Sequence, residues 1–74
     1  MTEYVVLYER STDGDWGAYV PDLPGIAVVG SSRAEAEALV ADAIEIALAW
    51  DRDHDRTTPA PAHQAGTLQV PART

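Results

Sequence analysis

Residues 14–25 constrain this chain more than any other segment: a short strand runs straight into a rigid corner. Trp16, Ala18 and Val20 alternate with Gly17 and Tyr19, the period-two pattern of a half-buried strand. Pro21 has no N–H to give a ladder, so the strand ends there. Pro24 presets φ and Gly25 accepts a positive φ, so Leu23-Pro24-Gly25-Ile26 reads as a type II turn. Any fold for this chain must place two strands around that corner.

The neighbouring segments supply them. Residues 4–10, from Tyr4 to Arg10, are rich in β-branched and aromatic side chains and read as a first strand. Residues 11–15 form a turn by composition, with Asp13-Gly14 its strongest signal. A loop centred near Thr12 and Asp13 sets Val6 opposite Val20, Tyr8 opposite Ala18, and Trp16 near Arg10. Val6, Tyr8, Trp16, Ala18 and Val20 then share one face, and Val5, Leu7, Glu9, Gly17 and Tyr19 the other. A slip of one residue would exchange the two sets. Beyond the corner, residues 26–29 form a third short apolar run, closed by Gly30.

A helix follows. Ser32 with Glu35 three residues on is a capping box, and the helix runs from about Arg33 to about Trp50. Ala36, Leu39, Val40, Ala43, Ile44, Ala47 and Trp50 recur at three and four and make one broad apolar stripe. The pattern leaves Leu48 outside it. Residues 56–66, with Pro59 and Pro61, read as a linker that cannot continue the helix. Thr67 to Val70 alternate and are expected as a fourth strand, ended by Pro71; Ala72-Arg73-Thr74 is expected to be a loose end.

The chain therefore reads as one α+β domain over residues 1–74, with its core at about 3–51 and the order β-β-β-α-β in two layers. The segment between the third and fourth strands is long enough for a right-handed crossover that lays the fourth strand parallel to the first. One helix covers one face of a three- to four-stranded sheet. The face with Val5, Leu7 and Tyr19 is left bare, and a bare apolar face on a small domain marks an interface. Seventy-four residues bury only roughly 60% of their unfolded surface. With no Cys to staple it, such a domain often gains stability by self-association, so a homo-oligomer is expected.

Charge narrows the partners. Twelve acidic residues face five basic ones, all five of them Arg, for a net charge of −7. Phosphate backbones are poor partners for such a surface, whereas a basic protein is steered towards it. The first residues have no basic leader pattern and no apolar run is long enough to cross a bilayer, so a cytoplasmic protein is expected.

The chemistry-bearing residues do not assemble into a reaction centre. Asp51, Asp53 and Asp55 are spaced like the opening of a calcium loop, but Arg56 stands where Gly is needed and Ala62 where Glu is needed. His54 and His63 are isolated and are assigned no role. Glu9 lies on the first strand with no second acid converging on it, as two-metal phosphodiester chemistry would require. No Ser-His-Asp or Cys-His grouping or phosphate loop is present. No catalytic residue, cofactor or metal is expected.

Four features together resemble the HicB antitoxin family of bacterial toxin–antitoxin systems. They are Tyr4-Val5-Val6-Leu7-Tyr8-Glu9; Trp16 through Val20 running into Pro21-Asp22-Leu23-Pro24-Gly25; Val29-Gly30-Ser31-Ser32; and Glu35-Ala36 with Asp42-Ala43-Ile44 beyond. Ile26 stands where the family often has Cys. The resemblance spans about residues 4–50 and implies a partial ribonuclease-H-like fold. It also implies a partner, a small basic HicA-like toxin that cuts mRNA and whose catalytic His the antitoxin covers. Many members carry a C-terminal DNA-binding domain; this sequence ends at Thr74 without one, so direct DNA binding is not expected of it. On this reading Glu9, Asp13, Asp15 and Asp22 are the expected charged contacts and Tyr19 the aromatic anchor. Val5, Leu7 and Tyr19 form the competing homo-oligomer face. The alternative is a stand-alone HicB-like homo-oligomer with neither toxin nor catalysis.

Overall fold

The computed structural model describes residues 2–72, so Met1 and the expected loose end at Arg73 and Thr74 lie outside the described residues. Three strands, β1 (Leu7–Arg10), β2 (Trp16–Tyr19) and β3 (Ala27–Gly30), precede a single long helix, α1 (Arg33–Asp53). The sheet is antiparallel in the order β1-β2-β3.

Where it pairs, the β1–β2 hairpin has the expected register, with Tyr8 opposite Ala18 and Arg10 opposite Trp16, but the expected Val6–Val20 pair does not form. Its turn is held by the Ser11 N–H donating to the Asp15 carbonyl at 2.9 Å and the Gly14 N–H donating to the Ser11 carbonyl at 3.1 Å. Gly14 takes φ 95°, which a side chain would resist and which matches the hairpin to the twist of its strands. The corner after β2 is a double turn. The Leu23 N–H donates to Val20 and the Ile26 N–H to Leu23, at 3.1 and 3.2 Å, with Gly25 at φ 95°. Leu23-Pro24-Gly25-Ile26 is thus the turn its sequence describes.

β1 starts at Leu7 rather than at Tyr4, and Pro21 is the reason. Val20 directs its N–H away from β1, to the Ile26 carbonyl at 3.4 Å. The next residue along β2 that would face β1 is Pro21, which has no N–H to offer. The ladder therefore stops at the Leu7–Tyr19 pair and residues 4–6 run on unpaired. The third strand is likewise displaced by one residue, from 26–29 to Ala27–Gly30, because the double turn takes up Ile26.

The helix is capped as expected at Ser32, whose Oγ accepts the Glu35 N–H at 3.1 Å. The return arm of the box differs. The Glu35 carboxylate accepts the N–H of Ser31 at 3.0 Å and its hydroxyl at 3.2 Å, one residue before the cap. The close of the helix falls later than Trp50. Asp55 adopts φ 54°, its N–H donates to Arg52 at 3.4 Å, and the Arg56 N–H donates to Asp51 at 2.7 Å. This is a Schellman closure with Asp in the left-handed position that Gly usually fills.

The core lies between one sheet face and the helix. Ala18, Val20, Leu23, Ala36 and Val40 are buried, with Tyr4, Val6, Tyr8, Trp16, Ile26, Val28 and Ile44 packed against them. Gly30 permits this contact, because a Cβ there would sit 2.8 Å from the Ala36 nitrogen. The expected helical stripe divides. Ala36, Val40 and Ile44 face the sheet, while Leu39 and Trp50 are exposed. Length explains this. A strand of four residues spans about 13 Å, whereas a helix of 21 residues runs about 31 Å. The C-terminal half of α1 overhangs the sheet.

No fourth strand forms: residues 67–70 pair with nothing among the described residues, and Leu68 is 87% exposed. The linker instead holds the chain elsewhere. The Tyr4 hydroxyl donates to the Pro59 carbonyl at 2.7 Å, and Asp22 Oδ2 accepts the N–H groups of Ala62 and His63 at 3.0 and 3.2 Å. Leu48, outside the predicted stripe, is half-buried beside Tyr4, Thr58 and Pro59.

Candidate interaction surface

The sheet face opposite the helix carries no layer. The paired registers set Leu7, Tyr19 and Ala27 in one row across it and Glu9, Gly17 and Val29 in the next. Tyr19 is 43% exposed and Val29 69%. Between the side chains of Glu9 and Val29, Gly17 offers none, and the gap is a notch of about 210 Å³ whose rim also includes Arg10, Ser11 and Asp15. One wall is apolar and the mouth carries two carboxylates. That combination suits the aliphatic stem and cationic head of a Lys or Arg side chain.

The structure sorts the expected contact residues into groups. Glu9 and Asp15 meet at the notch, with Tyr19 in the next row of the same face. Asp13 is close by in the turn, but its carboxylate is turned inward, accepting from the Ser11 hydroxyl and from the Asp15 N–H at 3.2 Å. These hydrogen bonds, the Ser11 one foremost, hold its pKa below the ordinary carboxylate value. Asp22 lies at the other end of β2, in the corner. Its side chain is almost wholly covered and contacts the His63 Nδ1 at 2.6 Å. Burial works to raise its pKa, but the N–H groups of Ala62 and His63 and the His63 ring outweigh it and the net shift is downward. Leu7 shares the open face; Val5 precedes the ladder, is half-buried, and lines a groove of about 540 Å³ with His63 and Gln64.

One member of the surface escapes a sequence reading confined to the first hairpin, and another is placed by it without its role. Val29 joins the face only through the β2–β3 register, and the equal spacing of residues about Leu23 is the signal that fixes it. Gly17 looks like a weak point in a strand until Glu9 and Val29 stand on either side. Among the described residues no three His, Asp or Glu side chains gather as a metal site, and no helix is long and apolar enough to cross a membrane.

No protein-family model matches the chain, and no curated protein matches its sequence.

Proposed function

We propose that this chain is a HicB-like antitoxin with a partial ribonuclease-H-like arrangement, which binds a small basic HicA-like toxin and occludes its RNA-cleaving surface. The observation that carries the reading is the notch over Gly17. An apolar wall beside Glu9 and Asp15, on an uncovered sheet face of a chain with net charge −7, is suited to a basic protein surface. Glu9, Asp15 and Tyr19 make the contact. Asp13 and Asp22, occupied within the chain, act by fixing the turn and the corner. The protein needs no catalysis, cofactor or nucleic-acid contact for this role, and it works in the cytoplasm, where a toxin would act.

The test is co-expression with the adjacent open reading frame, with only one of the two products tagged. A complex that co-elutes and restores growth supports the reading. Glu9→Lys together with Asp15→Lys should break it while the fold is retained. Absence of any complex, with the chain running as a closed oligomer, overturns it in favour of a second reading. That reading is a stand-alone homo-oligomer, favoured by the exposed cross-strand pair Leu7 and Tyr19 on the same face.

A further inference from the structure

The overhang of α1 leaves a second apolar surface, remote from the sheet face. Leu39, Ala43, Ile46 and Trp50 follow one another at spacings of four, three and four, and so lie in one line along the helix. Leu39 and Trp50 are exposed and Ile46 is 69% exposed, although nothing in helix propensity asks for an Ile or a Trp there. Ala43 and Ala47 are small, and with Ile46 and Trp50 they outline a notch of about 470 Å³, which Asp51 and Arg56 close at its C-terminal end with one charge of each sign. The large side chains are walls and the alanines a floor, which is the shape that accepts a side chain from another helix.

The rim gives the sign of the partner. Asp42 lies one turn before Ile46 and Asp53 one turn after Trp50, along the outer edge of the line, and both are exposed. At the C-terminal end Arg56 places its guanidinium 4.6 Å from the centre of the Trp50 ring, and His54 stacks on the same ring at 3.9 Å. These groups hold the Trp in place. A second copy docked helix to helix would bring an identical acidic outer edge against Asp42 and Asp53, and each copy carries the same net charge of −7. Anionic lipid and nucleic acid are disfavoured for the same reason.

We propose that the line Leu39–Ile46–Trp50 is a docking groove for an amphipathic helical segment of a basic protein, which places an apolar side chain over Ala43 and Ala47 and Lys or Arg against Asp42 and Asp53. The groove is a separate surface from the open sheet face, and the proposal stands whether or not that face binds a toxin.

A synthetic amphipathic peptide of Leu and Lys, with Leu at helical three-and-four spacing, is the probe. It is titrated into the isotopically labelled full chain and followed by amide chemical shifts. The expected result is saturable binding with shifts concentrated on residues 39–50, weakening as salt is raised. Ile46→Gln should lower affinity about tenfold or more, the loss typical of a central interface contact, while Leu68→Gln, an exposed apolar residue outside the groove, leaves it unchanged. Asp42→Lys with Asp53→Lys should weaken binding and flatten its salt dependence. Ile46 contributes little to the core, so circular dichroism should show an unaltered fold in Ile46→Gln. Shifts that fall on the sheet face, affinity indifferent to Ile46→Gln, or equal binding of a Leu and Glu peptide overturn the proposal. So does a wild-type dimer that Ile46→Gln converts to monomer, since the occupant would then be a second copy.

Discussion

Gly30→Ala tests the seat of the helix on the sheet. Two effects oppose each other. An Ala in a strand has less freedom to lose on folding than Gly, which stabilises by about 0.4–1 kcal/mol where the new side chain fits. Here it does not fit. The added Cβ would stand 2.8 Å from the Ala36 nitrogen and 3.1 Å from the Glu35 Cβ, backbone and inner side chain that cannot swing aside. The first turn of α1 must move by several tenths of an ångström, and overpacking of this kind costs about 1–3 kcal/mol. The same movement strains the 3.1 Å bond from the Glu35 N–H to Ser32 Oγ, part of a cap worth about 1 kcal/mol. Sterics win, and the net effect is a loss of about 1–2 kcal/mol. At a urea m-value near 1 kcal/mol/M, suited to a small domain, the unfolding midpoint falls by about 1–2 M. Gly66→Ala is the control, since its Cβ meets nothing within 4 Å and its midpoint should hold. A Gly30→Ala midpoint equal to or above that of the wild type would refute the close seating of α1 on β3.

Three further outcomes follow from the geometry. Asp55→Gly removes both a left-handed side-chain conformation and a negative charge at a helix C-terminus, and should stabilise by about 0.5–1 kcal/mol, read as a rise in thermal midpoint. Ser32→Ala leaves the Glu35 N–H without its acceptor and should cost about 1 kcal/mol by the same measurement. The pKa of Asp22 is depressed, so the hold of its carboxylate on the linker is fully present above the ordinary Asp range and lost as pH falls through the lowered value. The amide signals of Ala62 and His63 should therefore titrate with a midpoint below 3.8, and a midpoint at or above it would refute the contact.

The corner, the hairpin register and the helix start were legible because each rests on local chemistry: Pro21, the Asp13-Gly14 turn, the Leu23-to-Ile26 turn and Ser32. The start of β1 was not, although Pro21 was in plain view. Its missing N–H matters twice, once for its own strand and once for the strand beside it, and the second effect shows only when the pairing is laid out. The division of the helical stripe was hidden for a different reason. Periodicity reports which residues share a face; it says nothing of how much sheet lies beneath them. Thr67 to Val70 alternate like a strand, yet alternation supplies no edge to pair with, and the linker is drawn instead to Asp22 and Tyr4. Glu9, Asp15 and Tyr19 could be named from the sequence as surface residues, whereas the notch that joins two of them depends on Val29, brought in from the third strand.

The overhanging helix behaves as a cantilever. Its root, around Ala36 and Val40, is clamped in the core, and opening there means opening the whole domain. Its free end carries Trp50 beyond the sheet and is steadied by groups that follow it in the chain, His54 and Arg56 on the ring and Thr58 on Asp51. The expectation is that stability declines along a single helix without any break in its hydrogen bonding. Amides near the root should exchange only by global unfolding and those near the tip by local fraying, and a ligand gripping the tip would stiffen the beam without touching the core.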